Sequence, residues 1–231
     1  MTDTVEQTAP KKYELTDETT TSWDGRTLHR IRALVAIASI GVAAGDLGGF
    51  IETETNLVQS GDAWVSGNAQ VFGDARVSGN AQVFGDARVF GNAQVSGNAW
   101  VSGNAWVFGN AQVFGNARVF GNAQVFGDAR VSGNAWVFGD ARVFGNAWVA
   151  LSIHIGWFSH VGSENGTLTY FRTKDGGIYT DRGCFDGTLD EFENAVKKRH
   201  GDTQIGKEYA LLIEFIRLRA SSWVQADAEA A

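Results

Sequence analysis

Scarcity bounds this chain before abundance does. Its 231 residues hold one cysteine, one proline and one methionine. The single thiol, Cys184, excludes an intrachain disulfide and suits a reducing cytoplasm. Positive charge is short: 19 Lys and Arg stand against 26 Asp and Glu, a net charge of −7. No basic stripe exists, so duplex nucleic acid is not an expected partner. The apolar run from Ala33 to Ala44 is too short to span a bilayer, and no membrane partner is expected. The polar, acidic start is unlike a secretory leader. Between positions 61 and 150 there is no histidine and no threonine.

What abounds is glycine, 29 residues in all. Most of it is ordered by a fixed period. Fifteen hexapeptides of the form Gly-[Asn/Asp]-Ala-x-Val-x run from Gly61 to Ala150 without a slip. A short fixed period overrides local propensity and marks a solenoid. In the unit Ala69-Gln70-Val71-Phe72-Gly73-Asp74, Ala69 and Val71 point to one side of a strand and Gln70 and Phe72 to the other. Gly73-Asp74 makes a corner. A four-residue strand, a two-residue corner and small or branched residues inside follow the hexapeptide rule, and the sequence closely resembles left-handed parallel β-helices. The resemblance implies triangular coils of three hexapeptides. Fifteen repeats then make about five coils, a prism roughly 24 Å long at ~4.8 Å per coil.

Sorting the outward residues by coil separates three faces. One carries Phe72, Phe90, Phe108, Phe126 and Phe144, with Gln70, Arg88, Trp106, Gln124 and Arg142 alongside. A second carries Trp64, Trp100 and Trp136 with Phe84, Phe120 and Phe138. The third is the most polar, with Arg76, Gln94, Gln112 and Arg130. A continuous Phe ladder exceeds the apolar patch usual on a monomer. It is expected to be covered, so these five Phe and Trp106 are the candidate oligomer interface. The expected assembly is a homo-trimer, with a dimer as the alternative.

The flanks read as a disordered leader (1–12), a small N-terminal β cap (13–60), a degenerate coil or linker (151–161), a C-terminal α+β domain of ββαα order (162–220) and a flexible tail (221–231). Strands are expected at 167–173 and 178–185 around the turn Lys174-Asp175-Gly176-Gly177. Thr188-Leu189-Asp190-Glu191 reads as a capping box opening a helix that ends near His200, with Gly201 as its cap. A second helix from about Thr203 to Ala220 places Tyr209, Leu212, Ile213 and Ile216 on one stripe.

Nearly the whole chain, repeats included, also resembles a group of bacteriophage and prophage proteins. Beside the repeats, the matching stretches are Lys12-Tyr13-Glu14-Leu15-Thr16-Asp17-Glu18, Gly45-Asp46-Leu47-Gly48-Gly49-Phe50-Ile51-Glu52, Gly162-Ser163-Glu164-Asn165-Gly166-Thr167, Arg172-Thr173-Lys174-Asp175-Gly176, Gly183-Cys184-Phe185 and His200-Gly201-Asp202. The resemblance implies a viral origin and location in the cytoplasm of an infected bacterium, or in the virion. It carries over no catalytic residue.

Many hexapeptide proteins are acyltransferases, which need a histidine base near a coil and usually an extruded loop. The repeats offer neither, so acyl transfer is the alternative reading and no catalytic residue is assigned. A Cys184 pairing with His160 or His200 is weighed and set below a structural role for the thiol. No Cys/His spacing indicates zinc, the corners hold no run of acids for calcium, and no cofactor is expected. The regular coils are too uniform to encode a pocket. Specificity is therefore expected at 154–186, where Arg172, Lys174 or Arg182 is to contact an anion and Trp157 or Phe171 to stack on a ring. The expected function is a non-enzymatic, phage-encoded binding scaffold that sequesters a nucleotide-like ligand or a host protein. A structural virion component is a further alternative.

Overall fold

The computed structural model describes residues 10–223. Of the expected leader and tail, residues 1–9 and 224–231 lie outside the described residues. The repeats form a parallel β-solenoid with one short strand per hexapeptide, from β4 (Trp64–Val65) to β18 (Trp148–Val149). Residues 18 apart pair in parallel register, Val65 on Val83 and Val71 on Val89. The strands are two residues long rather than four. The hydrogen bonding nevertheless continues through the corners: Ser66 N–H donates to Val83 and Asn68 N–H donates to Gly85.

Each corner is a tight turn with glycine at its first central position. Gly97 has φ +66°, a conformation that L side chains rarely adopt. The corners also stack glycine on glycine: a Cβ on Gly97 would stand 2.9 Å from the Gly115 nitrogen. Two constraints therefore fix one residue.

The interior is built as the repeat dictates. The Ala and Val rows are buried along their whole length, from Ala63 and Val65 to Ala147 and Val149. Each fully buried Val is worth roughly 1.5–3 kcal/mol. The same core continues into Tyr13 and Ile31 at one end and Ile155 and Phe171 at the other.

The solenoid starts before the repeat does. β1 (Tyr13–Thr21), β2 (Thr27–Ala33) and β3 (Leu47–Ile51) form an antiparallel meander. β3 then pairs in parallel with β5 (Gln70–Val71), Phe50 opposite Gln70. The cap and the Phe-bearing face are thus one eight-stranded sheet. Leu57 bridges Val77 on the third, polar face, so residues 47–60 make an irregular opening turn. Corner Gly and strand Ala carbonyls accept from the coil before them, as Gly85 and Ala87 do from Asn68 and Gln70, so in the first coil these acceptors need other donors. Side chains from the cap supply the donors: Lys12 Nζ donates to the Ala63 carbonyl at 2.8 Å, and Asn56 Nδ2 to Gly73 and Ala75 at 2.9 and 2.8 Å. Burial lowers the Lys12 ammonium to about 8, against the opposing pull of Asp62.

At the other end the expected degenerate coil is absent. Residues 155–161 instead form β19 (Ile155–Val161), the first strand of an antiparallel sheet with β20 (Gly166–Arg172), β21 (Ile178–Arg182) and β22 (Phe185–Thr188). The order is therefore ββββαα rather than ββαα. Thr188 opens α1 (Leu189–His200) with the expected capping box: its hydroxyl accepts from Glu191 N–H and its own N–H donates to the Glu191 carboxylate. Gly201 closes the helix. α2 (Gln204–Ala220) buries Tyr209, Ile213 and Ile216, with Leu212 half-buried, as the stripe requires.

Candidate functional site

The Phe ladder is real, and its ends are covered from within the chain. Consecutive rings stack nearly parallel, Phe90 on Phe108 at 5.0 Å and Phe108 on Phe126 at 4.8 Å. Phe72 is buried with Leu28 and Phe50 of the cap, and Trp23 packs edge-on against Phe90. Phe144 meets Phe171 and Tyr179 at the far end. The middle rungs, Phe108 and Phe126, are half-buried by their neighbours. Trp106 is half-buried with the Arg88 guanidinium over its ring. On the next face Arg118 lies between Trp100 and Trp136, 4.5 and 5.2 Å from their rings. Stacked rings turn their faces along the prism axis, so these surfaces offer edges rather than open platforms.

The five residues expected to hold a ligand do not converge. Phe171 is fully buried in the solenoid core, 5.6 Å from Tyr179, and has no face to stack on a ligand. Trp157 packs edge-on against Phe138 at 4.3 Å. It lines a cavity of about 360 Å³ with Trp136, Phe158, Phe215 and Arg219. Arg172 pairs with Ile178 at one end of the β20–β21 hairpin, and Arg182 pairs with Leu168 at the other. Four residue steps separate them, about 13 Å. Lys174 is exposed in the intervening turn, its N–H donating to the Asn146 carbonyl.

Arg182 alone of the five enters a cavity of about 260 Å³ between the sheet and the helices. The local chain is shaped for it. His160 and Asn165 take positive φ of 59° and 49°, and Gly162 takes 69°. The loop they form brings Val161 and Gly162 against α2. Arg182 Nη2 donates to the Val161 carbonyl at 2.7 Å and Nε donates to the Tyr209 hydroxyl at 3.0 Å. A side chain at Gly166 would run into Nη1, and one at Gly162 into the Tyr209 ring. Tyr209 is itself wedged edge-on against Phe192 at 5.3 Å. The guanidinium is thereby held with two of its five N–H groups engaged.

Around it stand Arg199 and His200 from the end of α1, Ser163 and Glu164 from the loop, and Cys184 at the β21–β22 turn. Phe185, Phe192 and Val196 supply apolar walls. Two arginines and a histidine against one carboxylate suit an anionic group attached to an apolar or flat body. Cys184 is an exposed free thiol that shares this cavity with His200, whereas His160 is not among its walls. Among the described residues no group of three or more His, Cys, Asp or Glu could hold a metal ion. Sequence reading missed Arg199, Ser163 and Tyr209 as cavity residues. Tyr209 did carry a signal: a tyrosine on a buried stripe needs a partner for its hydroxyl.

One carboxylate ties this domain to the solenoid. Asp181 is buried and stands 3.1 Å from Arg142 Nη1. Burial outweighs the guanidinium and pushes the carboxyl up to about 6.

The profile of the YdcK beta solenoid repeat matches residues 69–83, 81–96, 93–109, 111–125 and 123–137. No curated protein matches the chain. All five matched segments lie in the regular coils. Sequence profile and structure agree on a repeat β-solenoid protein.

Proposed function

We propose that the protein is a non-catalytic binding module whose ligand is a small anion with a ring or apolar body, such as a nucleotide, held in the Arg182 cavity. The observation that carries this reading is the clamped Arg182 guanidinium, with Arg199 and His200 beside it over apolar walls. Residues 162–167 and 183–185 line or border the cavity and belong to stretches resembling bacteriophage and prophage proteins. That resemblance supports a viral protein that sequesters a host signal in the infected cell.

The test is calorimetry of the full chain against a panel of cyclic and linear nucleotides. Binding should be detected, and Arg199→Ala should weaken it roughly tenfold or more, the scale of a charge-assisted hydrogen bond. Arg199 makes none of the Arg182 contacts, so its loss should leave the melting temperature unchanged. The absence of heat with every nucleotide overturns the reading.

A further inference from the structure

α2 has a second apolar stripe, and it faces outward. Leu211, Phe215 and Leu218 are 68%, 44% and 72% exposed. These are large side chains on a helix whose opposite face already fills the domain core. Their spacing, four residues and then three, is that of d, a and d positions of a heptad. Scattered exposed leucines need no explanation, but three aligned on two turns form a seam. The seam continues into the solenoid: Phe215 shares its cavity with Trp136 and Phe138, exposed at 45% and 36%. The Phe ladder, by contrast, covers itself by stacking.

The flanking charges select the occupant. In the same heptad frame Glu214 is a g position and Arg219 is the following e position. In a parallel pair of helices a g residue faces the e residue five positions later on the partner. Two copies of α2 side by side therefore set Glu214 of each against Arg219 of the other. An antiparallel pair would set Glu214 against its own copy. Among the described residues Glu214 has no ion-pair partner within its chain, while nearby Arg217 is engaged by Asp190 and Glu193. Arg219 lies over the Phe215 ring and against the Tyr170 hydroxyl, which fixes it at the seam's edge.

We propose that the outer face of α2 docks on a second copy of the chain, the helices parallel, with Leu211, Phe215 and Leu218 in the seam and two Glu214–Arg219 pairs across it. This moves the expected self-association from the Phe ladder to the C-terminal helix, and from three copies to two. It does not depend on any ligand of the Arg182 cavity.

Light scattering on the full chain is the test. The parent should have a mass near twice 24.9 kDa. Leu211→Glu with Leu218→Glu should give the single-chain mass with an intact fold by circular dichroism. Glu214→Arg should weaken the dimer severalfold, and adding Arg219→Glu should recover most of the loss. A monomeric parent, or a dimer or trimer indifferent to the leucine substitutions, overturns the proposal. A charge swap that fails to restore the dimer overturns the parallel pairing. A monomer that sediments with phosphatidylglycerol vesicles through the same leucines would assign the seam to a lipid surface instead.

Discussion

Asn110 donates its side-chain amide to Asp128 one coil further on, at 2.9 Å, and there the ladder stops. A carboxylate accepts but cannot pass a hydrogen bond forward. The same logic ends the run Asn104 to Asn122 to Asp140, whereas Asn80, Asn98, Asn116 and Asn134 continue across four coils. The choice between Asn and Asp at a corner thus sets the length of each amide run.

Asn98→Asp should break the longest of these runs. The new carboxylate still accepts from Asn80 but leaves Asn116 without its donor, at a cost of about 0.5–1.5 kcal/mol. Asp128→Asn should cost less, because the new amide oxygen still accepts from Asn110. Chemical denaturation of the two variants gives the comparison.

Two corner glycines separate backbone strain from coil packing. Gly97 and Gly145 have similar φ, +66° and +62°, but only Gly97 has a coil stacked against its missing Cβ. Gly145→Ala should cost about 1–2 kcal/mol, the price of a left-handed L residue. Gly97→Ala should cost distinctly more. Equal losses in thermal melts would show that the stacked corner yields freely.

Val107 is fully buried at mid-prism. Val107→Asp places an unpaired carboxylate among alanines and valines and should cost several kcal/mol or abolish folding. A variant that melts like the parent would overturn the inward assignment of the Val row.

The junction between solenoid and C-terminal domain should gain stability in mild acid. Asp181 titrates near 6 in the fold against 3.8 in its unperturbed state. A raised acid favours the folded state when protonated, so its contribution is full below 3.8 and is lost as pH rises through about 6. The swing is at most about 3 kcal/mol at ~1.4 kcal/mol per pH unit. Asp181→Asn should flatten the parent's rise in melting temperature between pH 7 and 5. A parent whose melting point moves no more than the variant's would contradict the assignment.

Much of this architecture is legible in the sequence because the repeat repeats its chemistry. One Gly, one Ala and one Val per hexapeptide define corner and core fifteen times over, and the Thr188–Glu191 box announces a helix start in four residues. The cap over 13–60 was legible as a cap, but the way its last residues join the first coil was not, since Leu57 and Asn56 do their work outside the Gly-Asn-Ala frame. Phe171 misled for a specific reason. Leu168, Thr169, Tyr170 and Phe171 are all buried, so β20 shows no polar side from which to tell which face meets the solenoid. The Arg182 cavity draws on residues from 163 to 209, and only their convergence in three dimensions reveals it.

Both ends of the molecule rest on one rail. The cap closes over Phe72 through Phe50, and the C-terminal sheet closes over Phe144 through Phe171. Length and orientation are therefore separately encoded. Adding or deleting 18 residues changes the span between cap and C-terminal domain by ~4.8 Å and leaves their mutual bearing nearly intact. Adding six rotates the far domain by a third of a turn and strands Phe171 over a different face. Lineages of this chain should differ in length by whole coils, and single-hexapeptide changes should appear only with a rebuilt C-terminal junction.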